Sequence, residues 1–284
     1  MRSLAEFIMR GRLQASVVVL FSVTLPILPL AAIGLVTLRK GPREGALMLM
    51  VGMIPALIAW FLGKPVSVVL WGTLLGLLAV YIPAVLLRLT VSLATMVQAL
   101  VLTAIGCGLF TAAFVPELLE SFEKMTSLFI TLMEGKSPDS ELIEPSVVAL
   151  SGFITMAFAL NSLAGLLVAR WWQSLLYNPD GFGEEFRALR LSIGPAGICA
   201  ILVVLFHYYG VDYSFWATIL AIPLILAALS IVHTVARQRK LSNTWLAIFY
   251  VFVGSSSVVL LLLAVIGFAD SLLNIRDRFL GNDK

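Results

Sequence analysis

Apolar residues gather into eight long runs separated by short polar links, at about 15–38, 45–62, 66–87, 89–115, 147–169, 193–211, 214–236 and 244–268. A membrane-crossing helix needs about 20 mostly apolar residues, whereas the strands of an outer-membrane barrel show alternation over about ten. Backbone groups cannot go unpaired in lipid, so uninterrupted runs of this length predict an all-α polytopic bundle. The expectation is one transmembrane domain over 1–284 with seven or eight spans, segment length favouring eight. Composition agrees: 60% of the chain is hydrophobic and 12% charged, about half the charge of a soluble domain, which excludes an ordinary cytosolic enzyme.

Charge then orients the runs. The links holding Arg39, Lys40, Arg43, Arg88, Arg170, Arg187, Arg190, Arg237, Arg239 and Lys240 alternate with links holding only Lys64, Lys124 and Lys136. The first set is expected on the cytoplasmic side of a bacterial inner membrane. The net charge of +3 is what such loops carry and does not point to nucleic acid. Eight full crossings would nevertheless strand Arg2, Arg10 and Arg12, and also Arg276 and Arg278, on the wrong side. Pro26 and Pro29 supply a reason, because each removes a backbone donor and clashes with the preceding turn, so 15–38 is expected to be broken or re-entrant. Arg2, Arg10 and Arg12 ahead of an apolar run imitate a secretory signal, but without a small-residue cleavage site the run reads as a retained anchor.

Two links are long enough to have structure of their own. Residues 116–146 form an acidic outer link with Glu117, Glu120, Glu123, Glu134, Asp139, Glu141 and Glu144. Leu118, Phe122, Met125, Phe129 and Leu132 recur there at helical spacing, Pro116 can open a helix and Gly135 can close it, which predicts an interfacial amphipathic helix. It either caps a cavity between spans or floats on lipid. Residues 170–192 form the second link. Trp171, Trp172 and Tyr177 can anchor at headgroup depth, Asn178-Pro179-Asp180-Gly181 is strong turn chemistry, and Phe182, Phe186 and Leu189 then line one helical face opposite Glu184 and Arg187.

Chemistry-bearing side chains inside the runs are few. Gln98 and Asn161 lie well within their spans and either make interhelical hydrogen bonds or line a ligand cavity. Arg88, His207 and His233 lie near span ends. Cys107 and Cys199 stand in apolar segments without zinc-ligand spacing and read as packing residues, and no metal or cofactor site is expected. Gly72-xxx-Gly76, Ala196-xxx-Ala200 and Ala217-xxx-Ala221 are assigned to close helix packing. No GxSxG, HExxH or GxxxxGK[ST] motif occurs, and carboxylates approach the spans only at Glu44 and Asp270, so neither an enzyme nor a proton-coupled pump is expected.

The stretch Tyr177-Asn178-Pro179-Asp180-Gly181-Phe182, continuing through Glu185-Phe186 and Leu189-Arg190-Leu191, resembles the loop motif of the YybS-like family of bacterial membrane proteins. Pro26-xx-Pro29 before Arg39-Lys40-Gly41, and a last span closing on Asp270 and then Arg276, resemble it too. The resemblance implies a fold like the substrate-binding S components of energy-coupling-factor transporters, which bind a vitamin-sized molecule and depend on a separate ATPase module. One departure is that S components dock their partner through Ala-xxx-Ala pairs in the first span, and residues 15–38 contain none. The expected role is a membrane subunit without its own energy source that binds a small molecule around Gln98 and Asn161. A protein partner would then meet the loop residues Trp171, Trp172, Tyr177, Asn178, Asp180, Phe182, Glu185, Phe186, Arg187 and Arg190. The alternative is a structural or regulatory scaffold subunit using that loop to dock, and passive movement of a lipid ranks third.

Overall fold

The computed structural model describes residues 1–22, 25–63, 67–134 and 146–275, and every regular element among them is helical. In chain order the α-helices are α1 (Arg2–Arg10), α2 (Arg12–Phe21), α3 (Ile27–Lys40), α4 (Pro42–Phe61), α5 (Gly72–Thr90), α6 (Leu93–Phe114), α7 (Pro116–Glu134), α8 (Val147–Tyr177), α9 (Gly181–Arg187), α10 (Ile193–Tyr208), α11 (Ser214–Gln238), α12 (Asn243–Ser255) and α13 (Ser257–Leu273). A π-helical turn at Ser67–Trp71 leads into α5, and a 3₁₀ turn at Val211–Tyr213 into α11. Five segments among the described residues are long and apolar enough to cross a membrane, and the bent pair α12–α13 makes a sixth if it is one span. The chain is thus a helical multi-pass membrane protein, with fewer long spans than the seven or eight expected.

Helix ends follow local chemistry. Pro42 opens α4, where its missing N–H costs nothing, directly after Gly41 at φ 108°. The hydroxyls of Ser92, Ser146 and Ser242 accept from backbone N–H groups three residues on, at 3.2, 3.2 and 3.3 Å, and so start α6, α8 and α12. Residues 219–231 of α11 are buried without a break, as an all-apolar helix must be when other helices surround it. It packs against α6, α8, α10 and α13, while α8 joins this group to α3 and α5.

The first apolar run folds back on itself. Arg12 forms a two-pronged ion pair with Glu44 at 2.9 and 2.5 Å, Ser16 Oγ lies 3.9 Å from Met48 Sδ, and Val19 faces Gly52. These successive pairs make α2 run parallel to α4. After the single residue Gly41, α4 returns along α3, bringing Gly45 against Thr37, so α2 and α3 are antiparallel arms of a hairpin. The arms hold 10 and 14 residues, about 15 and 21 Å at 1.5 Å per residue, short of the about 30 Å of a hydrocarbon core. The first run is thus broken ahead of α3, as Pro26 and Pro29 led one to expect, and neither arm alone has the length of a crossing.

The last run, expected as a span at 244–268, is not one straight helix. It is two helices bent by 108° at Ser256, whose backbone is extended. Gly254 and three consecutive serines offer weak helix propensity and side chains that compete for backbone groups. Gly267 of α13 meets the backbone of Leu224, and three residues on Arg190 reaches the carbonyl of Asp270 while Ser230 reaches that of Leu189. So α13 descends beside α11 to the end of the bundle from which α12 set out.

That end also collects Arg39 over the Tyr177 ring at 4.1 Å, Arg88 donating to the carbonyl of Leu38, and the Arg170–Glu185 ion pair at 2.7 Å. At the opposite end the Trp216 indole donates to the Val148 carbonyl at 3.0 Å, and α7 packs Leu118 and Leu119 onto Val115, Leu150 and Ile154. The acidic link is thus helical from Pro116, as expected, with Leu118 buried and Phe122 edge-on to Phe153. Met125 faces outward. Residues 135–145, with Gly135, Lys136, Asp139, Glu141 and Glu144, lie outside the described residues, as do Lys64, Arg276, Arg278 and the side chains of Phe129, Leu132 and Glu134.

Candidate functional site

The tip of the α2–α3 hairpin borders a cleft of about 380 Å³, closed on its other sides by α4, α5 and α8. Interruptions in regular helix create it. Pro26 and Pro29 begin α3, Pro55 lies inside α4 and Gly52 one turn before it, and the π-helical turn delivers Gly72 and Gly76 to the wall. A cluster of donor-free prolines and side-chain-free glycines leaves room that leucines would fill. Gly72 and Gly76 correct their assignment to close helix packing. A side chain added at either would first meet Leu118 or Phe158 at 3.7 Å, and no backbone approaches.

Among the described residues the lining carries no ionisable side chain. Its polar members are Thr73 and Asn161. One N–H of the Asn161 amide donates to the Ala157 carbonyl at 2.9 Å, one turn back, which leaves a second N–H and the amide oxygen for an occupant. Gly72, Thr73, Ala157 and Phe158 also line a second cleft of about 340 Å³ under Leu118 and Phe122 of α7. Both voids meet at Phe158, and α7 lies across the outer one. Such a site can hold a molecule by apolar burial and one or two hydrogen bonds.

Of the two amides singled out in the sequence, Asn161 lines the larger cleft, whereas Gln98 sits half-buried on α6 and lines neither void. Phe158, Thr73 and the hairpin prolines were missed as lining. Proline and glycine density was the available signal, while Phe158 is one apolar residue among many.

The 171–191 residues divide. α8 holds 31 residues, about 46 Å, so it runs on past the apolar run and carries Trp171, Trp172 and Tyr177 as helix. Trp172 is fully buried rather than exposed as an anchor would be, sharing the core with Ala5 and Ile8 because α1 packs against α8. Trp171 and Tyr177 remain exposed, Tyr177 under Arg39. Asn178 ends α8 and Asp180, at φ 66°, starts α9, both exposed, and the Ser174 hydroxyl ties the turn by donating to the Asn178 carbonyl and accepting from Phe182 N–H. Phe182 stacks obliquely on Phe186, which meets His233 edge-on at 5.3 Å. Glu185 turns inward to Arg170, and burial raises its carboxyl above the usual range against the pull of that arginine. Burial, then the nearby Arg237, lowers Arg187. Arg190 points at the end of α13. Among the described residues no three His, Cys, Asp or Glu side chains gather as a metal site. No family model, curated protein or solved structure matches the chain.

Proposed function

We propose that the chain is a membrane subunit that holds a small, uncharged, mostly apolar molecule in the cleft at the hairpin tip, oriented by Asn161 and covered from outside by α7. The observation that carries this reading is the cleft itself, a void of about 380 Å³ walled by uncharged side chains and supplied with one partly unused amide. The resemblance of 177–191 to the YybS-like family, and through it to S components, points the same way. The long helices α4, α5, α6, α8 and α11, with α10 joining the two ends, make six crossings on this reading, and α2–α3 and α12–α13 enter and leave on one face. Six crossings return both termini to the basic end, which faces the cytoplasm of a bacterial inner membrane. A partner supplying energy would meet that end at the exposed turn from Tyr177 to Asp180.

The test is extraction and mass spectrometry of detergent-purified protein beside a Gly76→Leu variant, whose new side chain fills the cleft toward Phe158. One small-molecule class should accompany the wild type and be lost from the variant while the melting profile is kept. Equal recovery from both, or no molecule from either, overturns the proposal.

A further inference from the structure

A second pocket, of about 240 Å³, opens at the basic end and differs from the cleft in chemistry. It is lined by the apolar Leu38, Leu87 and Val91 and by the polar Arg88, Arg170, Gln173 and Glu185. Arg88 presents five N–H donors, one of which goes to the carbonyl of Leu38 near the end of α3, so the guanidinium is anchored with donors to spare. Arg170 lines the same pocket, its Nε 2.7 Å from Glu185 Oε2 and an Nη donating to Gln173 Oε1 at 3.2 Å. Two guanidinium groups and one carboxylate leave the pocket with a surplus positive charge.

The rim adds two observations. Val91 sits at φ 51°, a left-handed conformation that a β-branched side chain occupies only under strain, and such strain collects at binding sites. Leu89 and Val91 are 68% and 72% exposed, so apolar surface flanks the opening. Apolar lining beside two arginines matches a phosphate joined to an apolar body, because guanidinium forks fit phosphate oxygens and basic pockets between spans take anionic headgroups.

We propose that this pocket binds a phosphate group, with Arg88 as its first contact and Arg170 released to it as the incoming anion displaces Glu185. Glu185 is the internal competitor for that anion. The site is independent of the cleft and stands whether or not the cleft holds a ligand.

The experiment uses the full chain in nanodiscs of phosphatidylcholine containing a minority of phosphatidylglycerol, with retained lipid read by mass spectrometry, and in detergent with inorganic phosphate, read by thermal shift. Enrichment of phosphatidylglycerol in the wild type, lost roughly tenfold in Arg88→Gln and raised several-fold in Glu185→Gln, supports the site with a lipid as source. A phosphate-induced shift that Glu185→Gln enlarges, without lipid enrichment, supports it with a soluble phosphate as source. Because Arg88 also anchors α3, Glu185→Gln decides should the first variant fail to fold. Anion retention and phosphate shift unchanged by Glu185→Gln overturn the proposal.

Discussion

Arg190 spans 80 residues of sequence to place a guanidinium N–H 3.2 Å from the carbonyl of Asp270, with the Ser271 carbonyl at 3.4 Å. Those carbonyls belong to the last turn of α13, where the helix dipole is negative, and the Asp270 carbonyl also accepts from Asn274 N–H at 3.0 Å. A half-buried cation there is attracted to the helix end and ties the returning helix to the link after α9. Charged hydrogen bonds of this kind are worth about 1.5–3 kcal/mol. Arg190→Ala should lower stability by an amount in that range, seen as an earlier melt in detergent, and Arg190→Lys should recover only part of it because one ammonium cannot copy the guanidinium fork. A melt unchanged by alanine would mean that α13 is held by its contact with α11 alone.

The hairpin and the bent last pair predict where labels reach. With Cys107 and Cys199 replaced by alanine, cysteines at Ser3 and Lys240 should react with an impermeant maleimide from one face, and cysteines at Glu120 and Val211 from the other. All four native side chains are exposed, so accessibility reports side rather than burial. Ser3→Cys reacting together with Glu120→Cys would require α2–α3 to cross, and would end the six-crossing topology.

How far the sequence could see depends on the range of the forces involved. Length and apolarity of the runs announced helices in lipid because that rule concerns each segment alone. Pro26 and Pro29 announced the first break for the same reason. The break at Ser256 stayed hidden inside an apolar run, since three serines weaken a helix without ending its hydrophobicity. Trp172 looked interfacial because apolarity stops near Ala169, yet the helix continues and α1 covers it. Asn161 stood out as an amide among apolar neighbours. Phe158 could not, and the meetings of Arg12 with Glu44 and of Arg190 with Asp270 exist only once distant helices are brought together.

The glycines separate into two kinds that substitution should distinguish. A methyl group at Gly267 would lie 2.0 Å from the backbone oxygen of Leu224, and at Gly108 1.7 Å from Thr155 Oγ1. Backbone cannot step aside as a side chain can, so Gly267→Ala should cost at least the upper part of the roughly 1–3 kcal/mol seen for overpacked cores. Gly76→Ala meets only the Phe158 ring at ordinary contact distance and should melt like the wild type or slightly later, helped by better helix propensity. Equal melts for the two variants would contradict the close packing of α11 on α13.

Glu185 predicts a dependence on pH whose sign is opposite to that of an ordinary ion-paired carboxylate. Burial is the larger influence and raises its carboxyl above the ordinary value of 4.5, with the charge of Arg170 and its hydrogen bond acting against it. The folded chain therefore holds this proton more tightly than the unfolded chain does. The resulting stability is fully present below about 4.5 and is lost as pH rises through the raised folded value. Melting temperature measured across that interval should fall with rising pH by more in the wild type than in Glu185→Gln, which has no proton to lose. A wild-type melt that instead climbs more steeply than the variant's over the same interval would mean that attraction to Arg170 outweighs burial, and that the pair at 2.7 Å is a net source of stability.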